Sequence, residues 1–275
     1  MNPIEQIRNS ALAHYAKTLE RLLKPAIAIV HVRSEMPVSI GASKLGGEPD
    51  LPPDFTWPEW NGTPLAFLAQ FRLDEIAPCD VANLLPSTGM LYFFYEAQEQ
   101  PWGNEPEDEG AWRVFYYQEL PNNLQRTPLP ETLSEDSRFR EIPVRFGTRY
   151  MLPFDWSELG MLAPELELTD EEWDAYRELA CRVAQVEEGQ PKHWMLGYHD
   201  SIQNAANTEA LQTLFGLSWD EAVARADELA LLLHLDSDDA ANMVWGDVGT
   251  LYFWIQYDDL AARRFDKVWM ILQCY

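Results

Sequence analysis

Two stretches of this chain are written on one plan: LAFLAQF at 65–71 aligns with LALLLHL at 229–235, and GMLYFFYE at 89–96 with GTLYFWIQ at 249–256. Each copy runs apolar strand, polar loop, glycine, aromatic strand, the first loop being four residues longer. Apolar and aromatic runs bounded by turn residues favour antiparallel strands, so the chain has to accommodate two related hairpins. The expected fold class is α+β, with mostly antiparallel sheets from an internally duplicated unit and a few flanking helices. A single compact domain of two pseudo-symmetric halves is expected over 1–275, with the first repeat unit at about 65–117 and the second at about 229–275.

Local patterns fill in the rest. Ile4, Ile7, Ala11, Tyr15, Leu19 and Leu22 recur at helical spacing and predict one amphipathic helix over 2–23. A buried strand over 26–32 follows. The stretch 37–64 is a long loop rich in proline, glycine and tryptophan. Loops of that length inside a domain serve as binding loops or lids, or else Trp57 and Trp60 pin this one to the core. Alternation puts Phe67, Ala69 and Phe71 on one face of the first repeat strand, and Leu68, Gln70 and Arg72 on the other. Pro143, inside the alternating run 142–146, predicts a strand near a sheet edge. Thr169 with Glu172, and Ser218 with Glu221, are capping boxes that start two helices.

Charge and cysteine usage bound the function. The 45 acidic against 20 basic residues give a formal charge of −25. That charge repels nucleic-acid backbones and anionic lipid, so neither nucleic acid nor membrane is an expected partner. A basic protein is favoured over those partners, although the acidity taken alone is better read as keeping a tryptophan-rich chain soluble. Cys79, Cys181 and Cys274 lie far apart with no C-x-x-C pair, which predicts small buried thiols in a reducing compartment. The N-terminus lacks the apolar core and cleavage site of a signal peptide, and no run approaches the ~18 apolar residues of a membrane span. A cytoplasmic protein is expected, of undetermined oligomeric state.

No motif assigns a catalytic residue, a metal or a cofactor. The run Asp236, Ser237, Asp238, Asp239 with Asp247 starts like a calcium loop, yet Ala240 and Ala241 fall where a ligand and a glycine are needed, and the shorter Asp247 where a bidentate glutamate is. His193, His199 and His234 with Asp200 offer zinc ligands, an acid–base pair or ordinary structural histidines, and there is no H-E-x-x-H. Ser43-Lys44 and Lys44-Leu45-Gly46-Gly47 do not follow the order of a Ser–Lys or phosphate-loop motif. The repeat is more informative. Its alignment matches positions 68, 70 and 72 with 232, 234 and 236, placing Gln70 opposite His234 and Arg72 near Asp236 across the junction of the halves. This polar strip is either a ligand site, with 43–47 and Trp57 as its cover, or an internal hydrogen-bond network with one ion pair. The candidate ligand-binding set is Ser43, Lys44, Trp57, Gln70, Arg72, His199, Gln203, His234, Asp236, Trp245 and Asp247.

Several segments carry a family resemblance. SKLGGEP at 43–49, Leu51-Pro52, Trp57-Pro58, PLAFLAQ at 64–70, GYHDSIQ at 197–203, LLLHLDSD at 231–238, Trp245-Gly246-Asp247 and GTLYF at 249–253 stand in the order found in the bacterial YwqG-like proteins, a domain of unknown function (DUF1963). The chain resembles that family over nearly its whole length. The resemblance implies a cytoplasmic α+β protein built from a duplicated unit, with no established activity, substrate or cofactor. Some members are encoded close to bacterial toxin–immunity systems. His199, where the family more often has proline, and His234, where glutamine is frequent, are departures. Two functional expectations follow. The first is a non-enzymatic protein-binding module, immunity-like, that engages a basic partner through its acidic surface. The second is a small-molecule binder or hydrolase using the cleft between the halves, with Gln70, His234 and Asp236 as its polar determinants.

Overall fold

The computed structural model describes residues 2–34, 36–118, 123–187 and 189–275. Ten strands, β1 (Lys24–His31), β2 (Lys44–Leu45), β3 (Ala66–Arg72), β4 (Met90–Tyr95), β5 (Trp112–Tyr117), β6 (Ile142–Met151), β7 (His193–Leu196), β8 (Leu229–Asp236), β9 (Thr250–Gln256) and β10 (Trp269–Gln273), form one antiparallel sheet. Their spatial order is β10-β9-β8-β7-β1-β6-β2-β3-β4-β5. β1 and β6 pair at the centre along the whole of β1. From there the chain steps outward through β2 to β5 on one arm and through β7 to β10 on the other. The chain is thus a single compact α+β domain around a large antiparallel sheet.

The sheet bends until its arms face each other. Phe93 of β4 lies 5.4 Å from Phe253 of β9, ring to ring. At the rims, the Trp112 indole of β5 donates to the Val268 carbonyl at 2.9 Å and meets Trp269 edge-on at 4.8 Å. Trp269 in turn donates to the Gly103 carbonyl at 2.8 Å, and the Leu272 amide of β10 to the Trp102 carbonyl at 2.9 Å. The edge at β10, which would otherwise recruit another strand, is thus covered by the loop between β4 and β5. The main core fills the space between the arms. A second cluster, with Phe67, Tyr92 and Phe94, sits on the outer face of the first arm under Phe55 and Trp57. A third joins Ile7, Leu12 and Leu19 to Tyr176, Leu179 and Val183 of the helix Asp170–Ala184.

Both expected capping boxes are present, at Thr169 with Glu172 and at Ser218 with Glu221. Three local expectations are corrected. The N-terminal helix is broken into Pro3–Arg8 and Ala16–Arg21, because the Ser10 hydroxyl donates to the Ile7 carbonyl and accepts the Leu12 amide in place of helical bonds. Strict alternation in β3 fails at Leu68, where a bulge shifts the register against β4, so Leu68 joins Ala69 and Phe71 in the central core while Phe67 turns outward. β6 is central despite Pro143. The Pro143 carbonyl accepts Val32 N–H at 2.8 Å, so its nitrogen faces the same side, just past the last β1 residue in the ladder, His31 opposite Val144. The missing donor therefore falls at the last rung of the pairing, where the Val32–Pro143 bond alone remains.

Candidate functional site

The outer faces of the two arms share a scaffold and differ in what fills it. On the first arm, Gln70 faces Tyr92 across β3 and β4. Its carbonyl accepts the Asp50 amide, and its nitrogen donates to the Ala42 carbonyl and to Asp50 Oδ2, each at 2.8 Å. Asp50 also takes Arg126 Nε at 2.6 Å. Arg126 Nη1 and the fully buried Lys44 ammonium converge on Glu141 Oε2, at 3.0 and 2.7 Å. Burial pushes the Lys44 pKa down more than these partners raise it. Burial alone would raise that of Asp50, but Arg126, the Gly41 amide, Gln70 and Lys44 together hold it below the ordinary carboxylate value. This is a closed network, with the chain's own cations inside it.

On the second arm, β8 bulges at Leu232 as β3 does at Leu68, and His234 faces Tyr252 as Gln70 faces Tyr92. The Tyr252 hydroxyl donates to the Asp200 carbonyl at 2.7 Å, and the Tyr92 hydroxyl to the Asp50 carbonyl at 2.6 Å. β2 and β7 each run into two left-handed residues: Gly46 and Gly47 at φ 55° and 72°, Leu196 and Gly197 at 60° and 75°. Here the resemblance stops. His234 is 1% exposed and stacks on Trp194 at 3.8 Å, and its Nδ1 has no hydrogen-bond partner among the described residues. Burial holds its pKa well below 6.5, so the ring is neutral.

Beside His234 opens a cavity of about 1340 Å³, bounded by the C-terminal half of the helix Asp170–Ala184, the segment 189–192, the 200–202 turn, the loop after β8 and Tyr275. Lys192 reaches Asp200 at 2.6 Å. Asp236 takes the Lys192 amide at 3.0 Å and the Thr250 hydroxyl at 3.0 Å, and burial raises its pKa against those bonds. At one end, His31 Nε2 and His193 Nε2 stand 2.9 and 3.3 Å from the same oxygen, Asp238 Oδ2. Burial would raise the Asp238 pKa, but these two imidazoles hold it far below the ordinary carboxylate value.

Of the sequence-derived candidates, the structure gathers only His234 and Asp236 at this cavity. Lys44 and Gln70 belong to the closed first-arm network, where Ser43 accepts the Arg72 amide at 2.8 Å. Trp57 pins its loop by donating to the Leu65 carbonyl. His199 bonds Ser201 at 2.7 Å, and Gln203 donates to the Cys274 carbonyl. Trp245 is a core residue packed on Tyr95 and Phe139, and Asp247 is exposed. The expected Arg72–Asp236 pair does not form: Arg72 pairs with Asp74 at 2.7 Å, and four strands separate β3 from β8. Aligned positions are symmetry equivalents in such a sheet, not neighbours. His31 carried no sequence signal, because the three groups at Asp238 come from distant points of the chain with no local spacing to reveal them.

The domain has one closed outer face and one that opens on a cavity. The family model for a domain of unknown function (DUF1963) matches residues 43–274, and the chain belongs to that family. A comparison with curated proteins finds no match.

Proposed function

We propose that the protein binds a small polar molecule in the second-arm cavity. One observation carries this reading. At the same strand position, before the same tyrosine, Gln70 has every polar atom satisfied by its own chain, whereas His234, which lines the cavity, has a buried Nδ1 with no partner among the described residues. A buried polar atom without a partner calls for an explanation, and at the wall of a cavity a ligand that completes the bonding supplies one. The matching bulges, tyrosine bonds and left-handed pairs support an origin by duplication, in which one copy closed its site with Arg126 and Lys44 and the other kept it open. Asp174, Glu178, Glu187, Asp200, Asp236, Asp238 and Asp239 outweigh Arg177, Arg182 and Lys192 around the cavity. That balance favours a donor-rich ligand, a polyol or an amine, over a phosphate or carboxylate. The free thiols Cys79, Cys181 and Cys274 support a reducing, cytoplasmic setting.

The test is a thermal-shift panel of sugars, polyamines, amino acids and nucleotides on the wild type and on Ala240→Trp, which plugs the cavity from an exposed lining position. A polyol or amine at about 100 times its Kd should raise the wild-type Tm by roughly 5–10 °C, and leave Ala240→Trp unmoved. Equal shifts in both proteins, or responses to anions alone, sink the proposal. The charge of −25 supports a second reading, capture of a basic protein, and that association would weaken steeply with salt and ignore Ala240→Trp.

A further inference from the structure

His31 closes β1, His193 opens β7 and Asp238 lies just past β8, so three separate elements aim side chains at one point. We propose that His31, His193 and Asp238 hold a divalent first-row transition metal at the end of the cavity. Their ligand atoms all lie within 4.8 Å of one another. The 2.9 and 3.3 Å separations from Asp238 Oδ2 are those of donors sharing an ion, since atoms each about 2.1 Å from a metal stand roughly 3.0–3.4 Å apart in octahedral or tetrahedral geometry. Direction matters more than distance. His31 Nε2, though buried and 2.9 Å from the carboxylate, makes no well-aimed hydrogen bond with any described residue. His193 Nε2 does hydrogen-bond that oxygen, so His31 is the cluster member whose nitrogen is left for an ion to engage.

The loop is built to present Asp238. The Ala240 amide occupies Oδ1 at 2.9 Å, and a bridge between Asp238 and Met243 fixes the backbone, which turns Oδ2 towards the two imidazoles. The Asp236 amide donates to His193 Nδ1 at 3.2 Å, so in the metal-free ring the proton sits on Nε2. Coordination through Nε2 requires that proton to move to Nδ1, the ring changing tautomer, and the long amide contact to Nδ1 is what binding gives up. Two imidazoles and one carboxylate select a zinc-like cation over calcium or magnesium, which prefer oxygen ligands alone. Three protein ligands leave positions open towards the cavity, which His31 and Asp238 both line. The inference thus rests on the cavity reading only for what would occupy those positions.

The experiment uses the full chain stripped with a chelator, titrated with zinc and with calcium by calorimetry, and with cobalt(II) followed by its visible d–d bands. Expected is one zinc per chain with little response to calcium, and at least about a tenfold loss of affinity in His31→Gln and in His193→Gln. His199→Gln, outside the cluster, keeps wild-type uptake. His31 is 29% exposed, so His31→Gln should fold, and its melting curve verifies that. No uptake, or uptake that both cluster variants retain, overturns the proposal. Polyol or amine binding without metal uptake overturns it and leaves the cavity reading standing; metal uptake without any such binding supports it and does the reverse.

Discussion

At the scale of single residues, the first-arm network sets measurable expectations. Lys44→Met keeps the packed volume but strips the Glu48 carbonyl of its donor and leaves Glu141 to Arg126 alone; the loss should be about 2 kcal/mol by urea denaturation. Asp50 has a folded-state pKa below its ordinary 3.8. Its contribution is therefore complete above that value and lost as pH falls through the folded pKa. The stability gap between wild type and Asp50→Asn should narrow on acidification from pH 6 towards 3, and a gap independent of pH would contradict the pairing. Arg72→Ala should cost less than about 1 kcal/mol, because its pair with Asp74 is exposed. A loss of several kcal/mol would instead reveal a buried partner. The sequence could show that positions 70 and 234 correspond. It could not show that one is sealed by Arg126 and the other opens on a cavity, because the filling residues come from loops with no periodicity.

At the scale of elements, backbone geometry decides more than propensity. Gly46 sits at φ 55°, and a Cβ there would meet the Arg140 carbonyl oxygen at 2.3 Å. Gly46→Ala should therefore destabilise by about 2 kcal/mol or more, read as a shift in the urea midpoint. Most strands and both capping boxes were legible because hydrophobic runs and Thr/Ser-x-x-Glu signatures act locally, but β2 lies inside the stretch 37–64 expected to be a loop, and β7 was not expected. The bulges at Leu68 and Leu232 were not, since a strict period of two carries no mark of where a strand skips. Pro143 misled for a related reason: a proline excludes a hydrogen bond on one side at one position, and the ladder with β1 happens to end there.

At the scale of the whole molecule, the bend of the sheet organises everything else. It buries the inner faces against each other through Phe93 and Phe253 and leaves the two outer faces to be covered separately, one by the 50–64 loop and the other by helices that leave a cavity. Trp112→Phe removes the rim bond to Val268 and should cost about 1–2 kcal/mol. A likeness between the two hairpins was visible in the alignment of 65–71 with 229–235, but whether the hairpins lie side by side or splay from a central strand pair depends on β1 and β6, which those stretches do not include. The proposal that one outer face is closed while the other takes a ligand is open to a direct crystallographic experiment, soaking crystals of the protein in a mixture of small polyols and amines. Density is expected beside His234 in the second-arm cavity and none within the Lys44, Gln70 and Asp50 network; density in that network, or none at either place, rules the proposal out.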